Sequence, residues 1–307
     1  MAVYVNTNYS ALQGQRYLGN VQNSLTTTYQ RLSSGLRINS AKDDAAGLQI
    51  ADRLTSQING LNQGNRNASD GIALAQTIES GMDEISGMLQ KVRTLAVQAS
   101  NGTNTAEDRT ALAKEASSLV AEMQRISQQT TYGGKKILAG GDVQNGKATI
   151  YGTAGKGSAG GTMTLQVGSN KGDTITFCVA NFTFSVLAVG ASEGFLKNEI
   201  KEASKGALVA FSTADAAQNL IASMDKLIAK VDGQRAALGA MQNRLESSIR
   251  NQSNVAANEA DARSRIRDAD FAEESANLSQ QSIIQQAAAS MLMQANTRPQ
   301  LGLSLLG

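Results

Sequence analysis

Residues 72–96 read IALAQTIESGMDEISGMLQKVRTLA, and the spacing of their apolar members decides the fold. Ile72, Ala75, Ile78, Met82, Ile85, Leu89, Val92 and Ala96 follow one another at intervals of three and four. That spacing keeps one stripe of a helix turned toward a partner, whereas a half-buried strand needs alternation. The same spacing recurs on either side. Leu18, Val21, Leu25, Tyr29, Leu32 and Leu36 carry it near the beginning, and Ile221, Met224, Ile228, Val231, Leu238, Met241, Leu245 and Ile249 near the end. The stripes predict a mainly α protein packed as a coiled coil or as an ordinary helical bundle. Their remaining faces carry Gln, Asn, Ser, Thr and Ala more than charge, and charged residues make up only 18% of the chain. A solvated coiled coil carries more charge on its outer positions. Small uncharged polar faces suit surfaces covered by other helices, which points to self-association.

Composition removes whole classes of chemistry. Among 307 residues there is no His, no Trp, one Cys and one Pro, and the net charge is +2. Without His there is no imidazole base, no imidazole metal ligand and no Ser-His or Cys-His nucleophile pair. A single thiol, Cys178, makes neither an internal disulfide nor a thiolate zinc site. Aromatic residues are 4% of the chain against 41% hydrophobic, so the core is built of Ala, Leu, Ile, Val and Met rather than of ring-lined pockets. No cofactor and no enzymatic activity are expected. The start, MAVYVNTNYSALQGQ, has no basic stretch followed by an apolar run, so no cleaved signal peptide is expected. No stretch reaches the roughly 18 consecutive apolar residues of a spanning helix. Basic residues are dispersed and lack interleaved aromatics, which argues against nucleic acid.

The middle changes character. Tyr132 to Gly172 is crowded with glycine, and Asn145-Gly146 is the signal for a hairpin with a type I′ turn. Met163, Leu165 and Val167 alternate with polar residues, as do Ile175, Phe177 and Val179, and then Phe182, Phe184 and Val186. Short half-buried strands are expected there. Cys178 lies on the face opposite Phe177 and is expected to be small filler. Gly155 to Gly160 fits GxGxxG, but a strand pattern follows it where a dinucleotide site needs a helix. Gly141 to Lys147 resembles a phosphate-binding loop, but Ala148 follows where a hydroxyl is needed for magnesium. Asp43-Asp44 and Glu273-Glu274 are adjacent pairs that diverge by about 100° on a helix, so neither converges on a metal. Asp43 and Asp44 are expected at a helix start, with Asn39 and Ser40 as its caps.

Charge links the two ends. Before Asp43 the chain carries Arg16, Arg31, Arg37 and Lys42 and no acid; after Arg267 come Asp268, Asp270, Glu273 and Glu274. Antiparallel terminal helices would set Arg31 to Lys42 beside Asp268 to Glu274 and fix their register.

Two motifs go beyond generic helix. RLSSGLRINSAKDDAAG spans 31–47, and IRDADFAEE spans 266–274, with LSLLG closing the chain at 303–307 and Val5 to Asn8 near its start. Together they resemble bacterial flagellin, over roughly residues 1–140 and 212–307. The resemblance implies a long antiparallel helical hairpin or coiled-coil bundle with both termini paired and a small β-hairpin-rich central region. It implies an inner-tube coiled-coil domain of 1–42 with 268–307, a helical rod domain of 43–140 with 212–267, and a hairpin region with a small variable surface insertion at 141–211. A projection is expected near Gly190 to Gly206, and no full separate outer domain.

The implied function is a structural subunit that polymerises into the helical, tubular flagellar filament used as a propeller for swimming. A hook–filament junction protein and a secreted coiled-coil adhesin are the alternatives; a flagellin with a metallopeptidase insertion needs HExxH and is excluded by the missing His. The implied partners are other flagellin subunits, flagellar cap and hook-associated proteins, an export chaperone and host Toll-like receptor 5. No nucleic acid and no membrane insertion are implied. The implied location is extracellular, in the flagellum. Subunit assembly is assigned to Leu18, Val21, Leu25, Leu32, Leu36, Phe271, Leu278, Ile284 and Met291. Receptor recognition is assigned to Gln90, Lys91, Val92, Arg93, Leu95 and Glu115, Lys91 standing where an arginine is common in the family. Beyond receptor contact, Val92, Leu95 and Ala96 are expected to form assembly surface. The terminal segments bury little by themselves and are expected to order on assembly.

Overall fold

The computed structural model describes residues 7–140, 150–151, 160–184, 200–201, 208–209 and 213–304, without the side chains of 200, 201, 208 and 298–304. The elements in chain order are α1 (Tyr9–Ser34), α2 (Ala45–Ser100), α3 (Ala106–Gln129), β1 (Thr131–Tyr132), β2 (Lys135–Lys136), β3 (Gly160–Gln166), β4 (Thr174–Ala180), β5 (Ile200–Lys201), β6 (Leu208–Val209), α4 (Ala214–Arg267) and α5 (Phe271–Ser304). The mainly α architecture is the one expected from the stripes, and its long antiparallel helices with small hairpins are those the resemblance implies. The Asn145-Gly146 turn, Gly141 to Lys147, Val186 and nearly all of the expected projection near Gly190 to Gly206 lie outside the described residues.

Local chemistry sets the helix ends. Gly35 closes α1 at φ 69° and gives its N–H to the Arg31 carbonyl at 2.8 Å, a left-handed cap that glycine adopts without a Cβ penalty. Thr105 and Asp108 form a reciprocal capping box at the start of α3. The adjacent acids also serve helix starts, though not with the caps expected. Asp44 caps α2, its Oδ1 accepting the Gly47 N–H at 2.9 Å. Asn39 and Ser40 are instead donors: their N–H groups, at 3.1 and 2.9 Å, and the Ser40 hydroxyl, at 3.1 Å, bind the Asp43 carboxylate. Those bonds, the Ser40 amide first, hold the Asp43 carboxyl below its usual range. Asp270 opens α5, accepting from Ala272 and Glu273 at 2.8 and 3.3 Å.

Contacts divide the chain into two compact units, Gly60–Asn254 and Met1–Asn59 with Val255–Gly307. Within the first, the α2 and α4 segments run antiparallel in a fixed register. Asp83 pairs with Arg235 at 3.1 Å, and ten residues along α2 and ten back along α4, Arg93 pairs with Asp225. Asn65 reaches Ser253 at 3.3 Å in the same register. Their facing stripes are buried: Leu74, Ile78, Met82, Ile85, Leu89 and Val92 on α2, Met224, Leu227, Val231, Leu238 and Leu245 on α4, with Ala116, Val120 and Met123 from α3.

The β elements cap this core. Strands β3 and β4 pair antiparallel, and the register Met163↔Phe177 and Leu165↔Ile175 puts the alternating apolar residues on one face, as expected. The hairpin lies on the helices because α2 has Gly64 beneath it: a Cβ there would stand 2.0 Å from the Val167 carbonyl oxygen. Asn67 donates to the Gln166 carbonyl and Gln234 to that of Cys178, both at 2.9 Å. Cys178 itself is exposed, so it fills no core space. Phe182 to Phe184 form no strand; both rings are buried, fixed by Phe182 N–H to the Leu138 carbonyl (2.9 Å) and Phe184 N–H to Gln124 Oε1 (3.0 Å). The turn between β1 and β2 is Gly133-Gly134, both with φ > 0. That is a signal of the same kind as Asn145-Gly146. Gly160 opens strand β3, so no helix follows the GxGxxG match.

Candidate assembly surface

In the terminal unit, α1 and α5 run antiparallel and are held at both ends. At one end Arg37 N–H and Ala269 N–H cross to the Arg267 and Gly35 carbonyls at 2.7 and 3.0 Å. Arg31 Nη1 meets Glu274 Oε1 at 2.9 Å, with Glu274 buried. This is the charge match anticipated from the two ends, reduced to one ion pair: Arg37 gives its guanidinium to the Ile266 carbonyl at 2.7 Å, and Asp268 takes the Ser264 hydroxyl at 2.6 Å.

The other end depends on the one proline. Helix α5 includes Pro299, which has no N–H to give the Ala295 carbonyl four residues earlier. Asn8 Nδ2 supplies that bond at 2.8 Å, while its Oδ1 accepts the Ala11 N–H and caps α1. One side chain therefore starts one helix and repairs the other.

What lies between is thin. Val21, Thr28, Glu274 and Ala288 are the buried residues of α1 and α5 among those described. Leu18, Leu25, Leu32, Leu36, Leu278 and Ile284 are half-buried, whereas Phe271 and Met291 are each 72% exposed. Val21 is consumed within the chain and is unavailable to a neighbour. The pair leaves eight large apolar side chains in water: Tyr9, Leu12, Tyr17 and Tyr29 on α1, and Phe271, Ile283, Met291 and Met293 on α5. Six of the eight were not singled out from the sequence as assembly residues. For Ile283 and Met293 the signal is that apolar residues surround α5 instead of forming one stripe, the mark of a helix covered on several sides. A groove of about 710 Å³ runs between the helices, lined by Gln13, Gly14, Tyr17, Ile284, Met291 and others.

The expected receptor patch lies in the central unit. Gln90, Lys91 and Glu115 are exposed and Leu95 is half-buried. Arg93 is held by the Asp225 carboxylate, whose hydrogen bond and charge raise the guanidinium's pKa further. Val92 and Ala96 are fully buried in the subunit's own core, so neither belongs to a recognition or assembly surface: their stripe faces α3 and α4. Among the described residues no helix is long and apolar enough to cross a membrane.

The chain matches two family models, the bacterial flagellin N-terminal helical region over residues 5–142 and the bacterial flagellin C-terminal helical region over 221–306. It is 34% identical to polar flagellin C of Vibrio parahaemolyticus over 383 aligned positions and 36% identical to flagellin A of Vibrio anguillarum over 380, each time across 100% of both chains. The alignments exceed its 307 residues, so these relatives carry extra length. Among solved structures, Bacillus cereus flagellin is 25% identical with a TM-score of 0.44, covering 61% of this chain and 88% of that one. Two family models in order at the two ends and full-length relatives place this chain in the bacterial flagellin family, whose members are the structural subunits of the extracellular flagellar filament.

Proposed function

We propose that this subunit polymerises through the terminal helix pair, and that the eight exposed apolar side chains of α1 and α5 are the observation that carries this. Monomeric proteins rarely leave contiguous apolar surface in water. Here eight large apolar side chains lie exposed on helices with almost no core of their own, so neighbouring copies complete what the single chain leaves open. Contacts between different patches on identical subunits, related by a rotation that does not close into a ring, generate a helical tube. Residues 1–42 with 268–307 make the inner tube, 43–140 with 212–267 the rod, and 141–211 the outer hairpin region. The thin core also makes the pair's order depend on its neighbours, so limited proteolysis of free subunits trims both ends and spares the centre.

The same surface suits the finer partners. The export chaperone covers the exposed apolar helices before assembly, and cap and hook-associated proteins meet them at the filament ends. The chain performs no catalysis. Gln90, Lys91, Arg93, Leu95 and Glu115 form the patch offered to Toll-like receptor 5; Arg93→Ala and Leu95→Ala variants that signal as well as the parent end that assignment. For assembly, electron microscopy of subunits added to filament fragments at neutral pH shows long tubes, and protein clipped of both terminal segments stays monomeric. Equal growth by the clipped protein overturns the reading.

A further inference from the structure

Methionine is used in two opposite ways in this chain. Nine are present. Met82, Met123, Met224 and Met241 are buried in the central core, and Met88 and Met163 are half-buried. Only Met291 and Met293 are exposed among the described residues, at 72% and 67%. Met291 also lines the groove between α1 and α5, opposite Tyr17 of the other helix. Both therefore lie on the surface that the proposed assembly covers.

We propose that Met291 and Met293 form an oxidation-sensitive site on α5, at which hydrogen peroxide oxidises the free subunit and stops it from joining the filament. The sulfur lone pair attacks one peroxide oxygen, the O–O bond breaks and an S–O bond forms. The departing hydroxide takes the proton of the attacked oxygen and leaves as water. The thioether loses two electrons and the peroxide gains them. The product is a polar sulfoxide on a side chain that was a flexible apolar filler. Buried against a neighbouring subunit without a donor, that oxygen carries the desolvation cost of an unpaired acceptor. Selectivity follows from access: the sulfurs of Met82 and Met224 are sealed at 0% exposure. A subunit already in the filament has its two exposed sulfurs covered, so the oxidant acts on unassembled protein.

The inference rests on the terminal helices being the assembly surface, and the experiment separates the two. Purified full-length subunits are treated with dilute hydrogen peroxide, and sulfoxide is located by peptide mass spectrometry. Oxidised and untreated subunits are then added to filament fragments, and elongation is followed by electron microscopy. Met291 and Met293 are expected to oxidise at least about tenfold faster than Met82 and Met224, and elongation to fall by about tenfold or more. Methionine sulfoxide reductases restore it. For a Met291→Leu/Met293→Leu variant the ratio of elongation with peroxide to elongation without it stays near one, whatever the variant's own rate. If that variant assembles poorly, partly oxidised wild-type protein gives the same answer: sulfoxide at 291 and 293 is enriched in the unassembled fraction. Untreated subunits that do not elongate at all overturn the assembly reading and the inference with it. Elongation equal for oxidised and untreated subunits, or sulfoxide spread evenly between the fractions, overturns the inference alone.

Discussion

Helix α2 and helix α5 contain similar residues in different circumstances. Leu74, Ile78, Met82, Ile85, Leu89 and Val92 of α2 are each at most 1% exposed, while Phe271, Ile283, Met291 and Met293 of α5 are each at least 67% exposed. The first set lies on one stripe that α3 and α4 can cover. The second is spread around its helix, so a single antiparallel partner can cover only part of it. Whether a long helix is finished within its own chain thus depends on the angular spread of its apolar residues more than on their number. The central unit is completed within its own chain, and the terminal pair leaves its large apolar side chains exposed.

The largest effect that tests this contrast is a core truncation. Leu89→Ala should cost about 2–5 kcal/mol in free subunits, read from denaturant unfolding. Leu25→Ala in the terminal pair should leave that transition in place and reduce polymerisation. If the two variants destabilise the free subunit equally, the two units do not differ in the way their burial implies.

Gly64→Ala comes next. Its new Cβ meets backbone, the Val167 carbonyl, which cannot rotate away as a side chain would. An overpacking cost of about 1–3 kcal/mol is expected, with the β3–β4 hairpin lifted from α2. An unchanged midpoint would show that the hairpin lies on α2 loosely.

Asn8→Ala removes a cap and the donor to the Ala295 carbonyl together. About 0.5–2 kcal/mol of local stability should be lost, seen as faster amide exchange in the first turn of α1. Exchange around Ala295 should rise with it while the central unit stays protected. A rise confined to α1 would detach Asn8 from the repair of α5.

The smallest effect is on pH, and here the two units should behave alike. Asp108 in the central unit and Asp43 in the terminal unit are both held below the usual carboxylate range, Asp108 mainly by the Thr105 hydroxyl and Asp43 mainly by the Ser40 amide. A carboxylate whose folded pKa is depressed adds stability above its unfolded value, near 4, and that stability is lost as pH falls through the folded value. Amide exchange at the start of α3 and in the turn at 39–43 should therefore quicken only below about pH 4. Asp108→Asn should flatten the response at α3 and leave that at 39–43 intact.

The stripes, the glycine-rich middle and the charge asymmetry of the ends carried the helices, the β3–β4 hairpin and the pairing of the termini, because period and alternation are properties of the chain alone. The missing histidine closed off most catalytic chemistry for the same reason. Other features needed three dimensions. Val92 stood both on the apolar stripe and, with Leu95, on a candidate receptor surface, and the packing of α3 and α4 decided for the stripe. The sequence offered Asn39 and Ser40 as caps, and the folded turn made them donors to Asp43. The sequence held a single proline, Pro299, and only the antiparallel register brought Asn8 within 2.8 Å of the carbonyl that this proline leaves unpaired. Periodicity fixes which side chains share a face; which faces find a partner depends on contacts between residues far apart in the chain, 132 positions for Arg93 with Asp225 and 287 for Asn8 with Ala295, and those exist only once the chain has folded.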